Sequence, residues 1–160
     1  MADSESNGTT PPEPGQVTAQ LTINAQYVKD LSFENPRAPQ SLQQQIQPEV
    51  GLNLDVKARP LGTDVYEVLL TVSATARAQG EPVFVVELTY AGVVTAKCDN
   101  QEILGALILV ETPRLLFPFA RQIVADATRN GGYPPLMINP IDFTELLRRQ
   151  QQGAPQTATV

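Results

Sequence analysis

The chain has 160 residues, of which 42% are apolar, which suffices for one compact domain with a hydrophobic core but not for two. Its formal net charge of -6 and its pI near 4.6 argue against binding to the phosphate backbone of nucleic acids, which requires clustered Lys and Arg. The chain contains no histidine, which excludes the usual general base, the usual metal ligand and any Ser-His or Cys-His nucleophile pair.

The single cysteine and the length of the apolar runs indicate in which cellular compartment the protein works. Cys98 cannot form an internal disulfide or a thiolate metal cluster, so it fits a reducing environment. The N-terminus lacks the basic-then-apolar order of a signal peptide, and no apolar run approaches the roughly 20 residues that span a bilayer. We therefore expect a cytosolic protein that is not inserted in a membrane and has no cofactor, metal site or catalytic residue.

Composition divides the chain into a domain and two tails. Residues 1–18 carry acidic residues, prolines and glycines but no basic residue, and they lack the apolar surface that offsets the entropy of ordering. Residues 151–160 are polar and uncharged. We predict a disordered N-terminal tail over residues 1–18, a folded domain over residues 19–150 and a mobile C-terminal tail over residues 151–160.

The first predicted strand covers residues 21–34, where apolar and polar residues alternate. Val28 and Lys29 break the alternation, which predicts a bulge. Alternation assigns six residues to the core face: Leu21, Ile23, Ala25, Tyr27, Leu31 and Phe33.

A long connection and three more strands follow. Residues 35–49 contain Pro36, Pro39 and Pro48, which favour a connection rather than a hairpin. Alternation then predicts strands over residues 50–60, 65–77 and 83–92, separated by turns at residues 61–64 and 79–82. It places Glu67 and Val83 on the outward face.

The C-terminal half has helical patterns. Asp99 and Glu102 have capping-box spacing before residues 103–110, which are apolar all round and predict a helix buried on every side, either in the core or against another subunit. Thr112-Pro113 and Pro118 are expected to interrupt it before a second helix that stops at Asn130. Asp142 and Glu145 predict a last helix. The order of elements predicts an α+β fold with a four-stranded antiparallel sheet, covered by helices on one face and open on the other.

Two groups of residues are candidate binding surfaces. The outward set Asp30, Glu34, Val85 and Glu87 would form a flat acidic patch with an apolar centre, which suits a basic protein partner somewhat better than it suits a merely solvated face, and much better than catalysis. A second set would line an apolar groove between the long connection and the last helix: Leu42, Ile46, Phe119 and Phe143. Such a groove binds flexible chains, although periodicity alone favours core positions for these residues.

Five short motifs give the chain a resemblance to a known family. A Y-x-K-D-x-S-F-E-x-P-x-A-P pattern occurs at Tyr27, Lys29, Asp30, Ser32, Phe33, Glu34, Pro36, Ala38 and Pro39. It is followed in order by QPEV at residues 47–50, DVYEV at 64–68, LFPFAR at 116–121 and NPIDF at 139–143. Over residues 20–150 the chain resembles the SecB protein-export chaperones.

The resemblance implies a homotetramer, arranged as a dimer of dimers, that holds unfolded secretory precursors without ATP in the bacterial cytoplasm and delivers them to the SecA motor. It implies that Asp30, Glu34, Val85 and Glu87 dock SecA, and that Ile46, Phe119 and Phe143 belong to a client groove. Two residues depart from the family pattern: Ile46 stands where a Trp is often found, and Phe119 where a Tyr is usual.

Two other functions remain open on sequence. One is a related chaperone of a specialised system, such as a stress response or a toxin-antitoxin pair, which would capture clients without binding SecA. The other is a small-molecule enzyme, which the absence of histidine and of a Gly-rich phosphate-binding motif disfavours.

Overall fold

The computed structural model describes residue 15, residues 17–153 and residues 158–160. In chain order the elements are β1 (Ala19–Glu34), α1 (Gln40–Gln43), β2 (Glu49–Gly62), β3 (Val65–Ala78), β4 (Glu81–Cys98), α2 (Gln101–Ala106), a π-helical segment (Leu107–Glu111), α3 (Thr112–Asn130) and α4 (Phe143–Gln151). Most of the predicted tail over residues 1–18, and residues 154–157 of the predicted C-terminal tail, lie outside the described residues.

The four strands form one antiparallel sheet in the order β1-β4-β3-β2, which confirms the predicted α+β class and sheet. Both predicted turns are present, and positive φ angles at Asp64 (59°), Gln79 (55°) and Gly80 (81°) close them. Since β1 and β2 lie on opposite edges, residues 35–48 must carry the chain across the sheet. We call these residues the crossover segment.

The core lies between one face of the sheet and the helices. Alternate residues of the three consecutive strands β2, β3 and β4 face the helices, as the period-2 pattern predicts. The fully buried side chains of this layer include Leu54, Val68, Leu70, Val72, Val86, Leu88 and Val94 from the sheet, and Leu116 and Val124 from α3.

Two bulges in β1 change which face its residues occupy. The register shifts between Ile23 and Ala25 and again between Val28 and Asp30. The second bulge, at Lys29, is the predicted one. Because each extra residue inverts the alternation, Ala25 and Tyr27 point to the open face and not to the core, contrary to the prediction. Leu31 pairs with core-facing Leu88 but is 44% exposed, because the helices do not cover this part of the edge strand.

A third bulge corrects the prediction for Val83. In the β3–β4 pair, Ala76 faces Phe84 and Arg77 faces Pro82, so Val83 is the extra residue. Val83 is buried, with 1% of its surface exposed, rather than outward. A local irregularity of this kind is not visible in the alternation of hydrophobic residues.

The elements α2, the π-helical segment and α3 form one continuous helical stretch from Gln101 to Asn130. The prediction that Pro113 and Pro118 interrupt this helix is therefore wrong. The π-helical turn lets the helix continue into Pro113. In this turn Leu107 O accepts hydrogen bonds from the backbone N–H of Thr112 and, at 2.8 Å, from the Thr112 hydroxyl. The N-cap is Asn100 and not Asp99, because the Asn100 side chain accepts hydrogen bonds from the N–H groups of Glu102 and Ile103. Asp142 caps α4 as predicted.

The same stretch is long and apolar enough, by length and composition alone, to cross a membrane, which the count of uninterrupted apolar residues did not predict. Leu116, Ala120 and Val124 pack it against the sheet and have no exposed surface. We therefore interpret it as the core helix of this domain.

Candidate functional site

The open face of the sheet contains a patch of exposed carboxylates at the β1–β4 pair. Glu34 lies opposite Val85, Ser32 opposite Glu87, and Asp30 opposite Thr89. Directly opposed residues have Cβ atoms about 5 Å apart, so the four predicted docking residues form one contiguous group. Asp30, Glu34 and Glu87 are exposed and Val85 is partly exposed. We call Asp30, Glu34, Val85 and Glu87 the acidic patch.

These three carboxylates have no ion pair within the part of the chain that the structure describes. Their neighbours across the strands are uncharged: Val85 for Glu34, Thr89 for Asp30, and Ser32 and Ser73 for Glu87. The patch is therefore a negatively charged surface whose charge is available to a partner.

A second carboxylate on the same face is in the opposite situation. Glu67, on β3, is only 2% exposed. Its Oε1 accepts hydrogen bonds from the Tyr27 hydroxyl at 2.5 Å and from Lys29 Nζ at 2.7 Å, and its Oε2 accepts one from Arg59 Nε at 2.5 Å. We call these four residues the Glu67 cluster.

The donors in the cluster determine the charge of Glu67. The Lys29 and Tyr27 hydrogen bonds, and to a lesser degree that of Arg59, lower the pKa of Glu67 to about 2, against the opposing effect of burial. The bond to this carboxylate also raises the pKa of Tyr27. Glu67 is thus ionised and satisfied within the chain, and it joins β1, β2 and β3 across the open face.

Sequence analysis placed Glu67 outward but did not identify the cluster. Its donors lie 38 to 40 positions earlier in the chain, on β1, or eight positions earlier, on β2. Tyr27 and Lys29 belong to the first family motif and Glu67 to the DVYEV motif, so the motifs contained the residues but not their contact. The first bulge, between Ile23 and Ala25, turns Tyr27 to the open face, and Lys29 is the extra residue of the second bulge.

The four predicted groove residues do not lie together in the described chain. Phe143 is 1% exposed and packs edge-on against Phe117 in the core, with ring centroids 5.9 Å apart, so it is not accessible to a client. Phe119 is 48% exposed and stacks beside Tyr90, with centroids 6.3 Å apart. Leu42 and Ile46 are in the crossover segment, where Leu42 is 45% exposed.

Ile46 does line an open apolar cavity of about 420 Å³. The walls come from the crossover segment, β2, β4, the segment after α3 and the C-terminus: Ile46, Gln47, Pro48, Val50, Phe84, Tyr133, Pro134, Pro135, Leu136, Met137 and Val160. Apolar side chains dominate, and Met137 is half exposed. This cavity, rather than the space next to Phe119 or Phe143, is the apolar recess beside the crossover segment.

A polar network fixes the crossover segment beside this cavity. The Tyr133 hydroxyl donates to Asn35 Oδ1 at 2.7 Å and is 2.8 Å from Ser41 Oγ, and Asn35 Nδ2 donates to Gly131 O at 2.9 Å. Gly131 has no room for a larger residue, because a Cβ there would lie 2.3 Å from the ring of Phe33. Asn35 therefore ties the start of the crossover segment to the residues that follow α3.

An exposed apolar surface lies on β1 and on the helices. Val28 and Leu31, on the edge strand β1, are 45% and 44% exposed, and Leu115 and Phe119, on α3, are each 48% exposed. In the predicted all-round apolar helix, only Ile108 and Val110 are buried, with 7% and 5% of their surface exposed. The composition predicted a helix that is buried on every side. A single chain does not bury it in this way.

No group of three His, Cys, Asp or Glu side chains with a geometry suited to a metal ion occurs in residue 15, residues 17–153 or residues 158–160.

Comparison with known proteins gives a consistent result. The family described as preprotein translocase subunit SecB matches residues 14–154. The protein-export protein SecB of Rhodospirillum centenum is 58% identical over 132 residues, covering 81% of this chain and 79% of the relative. That of Rhodopseudomonas palustris strain TIE-1 is 49% identical over 152 residues, covering 91% of this chain and 96% of the relative.

A solved structure shares the fold. It is a SecB-like chaperone of Mycobacterium tuberculosis in complex with a ChAD peptide from the HigA1 antitoxin, with a TM-score of 0.59 and 19% sequence identity, covering 76% of this chain and 90% of that one. At this identity the likeness concerns the fold alone.

Proposed function

The chain belongs to the SecB family of protein-export chaperones, and we propose that it binds unfolded secretory precursors without ATP, keeps them competent for translocation and delivers them to the SecA motor. The family is one of chaperones and not of enzymes. We place this activity in the bacterial cytoplasm, which the single, unpaired Cys98 supports.

The observation that carries client binding is the open apolar cavity beside Ile46. It offers burial without a charged anchor, and Met137 at its rim has a flexible, polarisable side chain that adapts to different partners. Such a surface selects for exposed apolar segments rather than for one sequence. We propose that the client site is centred on Ile46 and Leu42 and that Phe119 contributes where another subunit adjoins it, while buried Phe143 supports the core beneath.

The acidic patch supports the delivery step. Three exposed carboxylates around Val85 suit a basic surface on SecA, because complementary charge accelerates association and the small apolar centre adds burial. We propose Asp30, Glu34, Val85 and Glu87 as the SecA-docking residues.

The exposed apolar surfaces support assembly. Val28 and Leu31 lie on an uncovered sheet edge, and Leu115 and Phe119 lie on an uncovered helix face. Apolar surface on two separate elements suits two different contacts between subunits, as a dimer of dimers requires. We propose a homotetramer, in which several weak client sites act together through their high effective concentration.

Binding to one secretory precursor in two states tests the proposal. The precursor is a slow folder that is presented first unfolded and then folded, in the absence of nucleotide, and the mass of each complex is measured by light scattering. Capture of the unfolded form alone, by a particle of about four chains, is the expected result. Equal capture of both forms, or no capture, would contradict it.

A SecA-binding measurement on the same sample separates the two chaperone hypotheses. An export chaperone binds SecA and the unfolded precursor, whereas a specialised chaperone captures the precursor and leaves SecA unbound.

A further inference from the structure

Strand β2 forms one edge of the sheet, and the last residues of the chain are seated on it. The backbone N–H of Ala158 donates to Leu52 O at 3.4 Å, and the two residues form an antiparallel bridge. Because backbone groups on a strand point alternately to either side, Val50 and Leu54 also direct their N–H and C=O groups toward this edge. The edge can therefore pair with more residues than the one it now holds.

The C-terminal residues are enclosed from the other side by the extended chain between α3 and α4. The backbone N–H of Asn139 donates to Thr159 O at 3.2 Å. In this segment Leu136 and Ile138 are buried in the core, whereas Asn139 is exposed and keeps its N–H free for the bond to Thr159. Ala158 and Thr159 thus lie between two extended backbones, with one hydrogen bond to each. We call this slot the edge groove.

The edge groove leads into the apolar cavity. Val160, Ile46 and Met137 all line the apolar cavity. A second cavity, of about 180 Å³, adjoins Ala158 and Thr159 on the side of α4. Backbone pairing along a sheet edge combined with an apolar recess for side chains is how proteins bind extended peptides of variable sequence.

The contacts that hold the C-terminal residues are few. Among the described residues, the backbone contacts are one bridge to β2 and one bond to Asn139; Ala158 packs against the core, and the Val160 side chain remains 47% exposed. A longer apolar peptide could pair with Val50 and Leu54 as well and cover more of the cavity.

We propose that the chain's own Ala158–Val160 occupy the edge groove as an intramolecular competitor, and that an extended apolar segment of an unfolded protein displaces them when it binds. The inference rests on the proposed client binding and adds to it a resting state in which the chain covers its own site. The C-terminal residues are then a tethered, weak competitor that covers the free edge of β2 in the resting protein.

A truncation tests the competition. The full chain and a chain that lacks residues 158–160 are compared by fluorescence anisotropy, with a labelled ten-residue peptide of alternating Val and Ser as the probe. A competitor held at millimolar effective concentration with weak intrinsic affinity should weaken peptide binding about two- to fivefold, so the truncated chain should bind the peptide more tightly by that factor. An unchanged or weaker affinity of the truncated chain, or no binding by either chain, would overturn the inference.

Amide exchange at Asn139 provides a readout that does not depend on affinity. Exchange of this amide should accelerate in the truncated chain, which lacks Thr159 O, and slow again when the peptide is added. Equal exchange rates in the two chains would show that the C-terminal residues do not occupy the groove, and would overturn the inference.

Two single substitutions provide a matched pair. Val160→Glu places a charge at the apolar cavity and should behave like the truncation, whereas Val17→Glu changes a valine that is 55% exposed near the start of β1 and should behave like the unaltered chain.

The unfolded precursor separates this inference from the proposed function. If both chains capture the precursor with equal affinity, the chaperone function stands and the competition by residues 158–160 is refuted. If neither chain captures it, the proposed function itself fails.

Discussion

The open face of the sheet presents two kinds of carboxylate in two regions. In the acidic patch, Asp30, Glu34 and Glu87 are exposed and their strand neighbours are uncharged. In the Glu67 cluster, one carboxylate receives three donors and is almost fully buried. The residue type, the sheet and the face are the same, but the charge of Glu67 is used within the chain and the charges of the patch are not.

This difference shows that negative charge on a sheet face is not by itself a docking signal. Glu67 is neutralised by Lys29 and Arg59, so a partner does not encounter its charge. The cluster instead holds the bulged part of β1, next to Asp30, against the sheet. We therefore expect changes in the cluster to act on stability and changes in the patch to act on binding, and four predictions test that separation.

The largest expected effect is that of Glu67→Gln on stability at neutral pH. Removing the charge weakens three charge-assisted hydrogen bonds at a buried position, and we expect a loss of about 3 kcal/mol in the free energy of unfolding. Urea denaturation measures it. The matched control is Glu87→Gln, an exposed carboxylate on the next strand, for which we expect less than about 0.5 kcal/mol. Similar losses for the two variants would contradict the comparison.

The same cluster predicts a pH dependence. The pKa of Glu67 is lowered from its ordinary value near 4.5 to about 2 in the folded chain, so its contribution to stability is complete above about pH 5 and is lost as the pH falls toward 2. The difference between the unaltered chain and Glu67→Gln should therefore shrink by roughly 3 kcal/mol across this window. Urea denaturation at several pH values measures it. A difference that is constant with pH would show that Glu67 is not held ionised.

Charge reversal in the acidic patch should act on binding instead. Glu34→Lys combined with Glu87→Lys should weaken SecA binding at low salt about tenfold or more, because like charges would then face the basic partner, and added salt should reduce the difference. Affinity is measured by titration calorimetry. Binding of the unfolded precursor should not change.

The control for charge reversal is Asp99→Lys with Glu102→Lys, which changes the net charge equally at the start of α2, beyond the end of β4. An equal loss of SecA affinity in this control would mean that net charge, and not the patch, governs binding. Loss of precursor capture in the patch variant would mean that the patch is not a separate surface.

The smallest expected effect is that of Tyr27→Phe. It removes the hydroxyl donor and leaves Lys29 and Arg59 in place, so we expect a loss of about 1 kcal/mol in the free energy of unfolding, measured by urea denaturation. Tyr66→Phe is the matched control, because its hydroxyl has no hydrogen bond within the described residues, and its loss should be near zero. If Tyr27→Phe has no effect either, the contact with Glu67 is not significant.

All four strands could be predicted from the sequence because period-2 alternation directly reflects burial on one face, but β4 continues to Cys98, six residues beyond its predicted end at residue 92. Residues Leu52 to Val56 and Val68 to Ala76 are buried in that pattern. The prediction failed where a bulge inserted a residue: Tyr27 and Ala25 changed face, and Val83 became buried. Alternation gives the face of a residue only relative to its neighbours, and one extra residue inverts it.

The sequence predicted the positions of the residues in one candidate surface better than in the other. The four residues predicted for the acidic patch lie together on the open face, because Glu34 and Val85, and Ser32 and Glu87, face each other once β1 and β4 pair in register; their docking role stays a prediction. The four predicted groove residues do not lie together. No strand pairing relates the crossover segment to the helices, so the sequence pattern does not predict which of their residues meet. Phe143 has an apolar side chain that suits a groove and a core equally well, and only packing against Phe117 assigns it to the core.

The sequence by itself determined the α+β class, the four strands and their turns, the cap at Asp142 and the outward position of the acidic residues, because each depends on contacts between near neighbours or on a regular period. It also contained the motifs by which the family is identified. Only the tertiary structure decided that Glu67 is neutralised by residues of β1 and β2, that Ile46 rather than Phe143 lines the cavity, and that the C-terminal residues lie on the edge of β2. These depend on strand order and on contacts between distant parts of the chain, which local patterns do not encode.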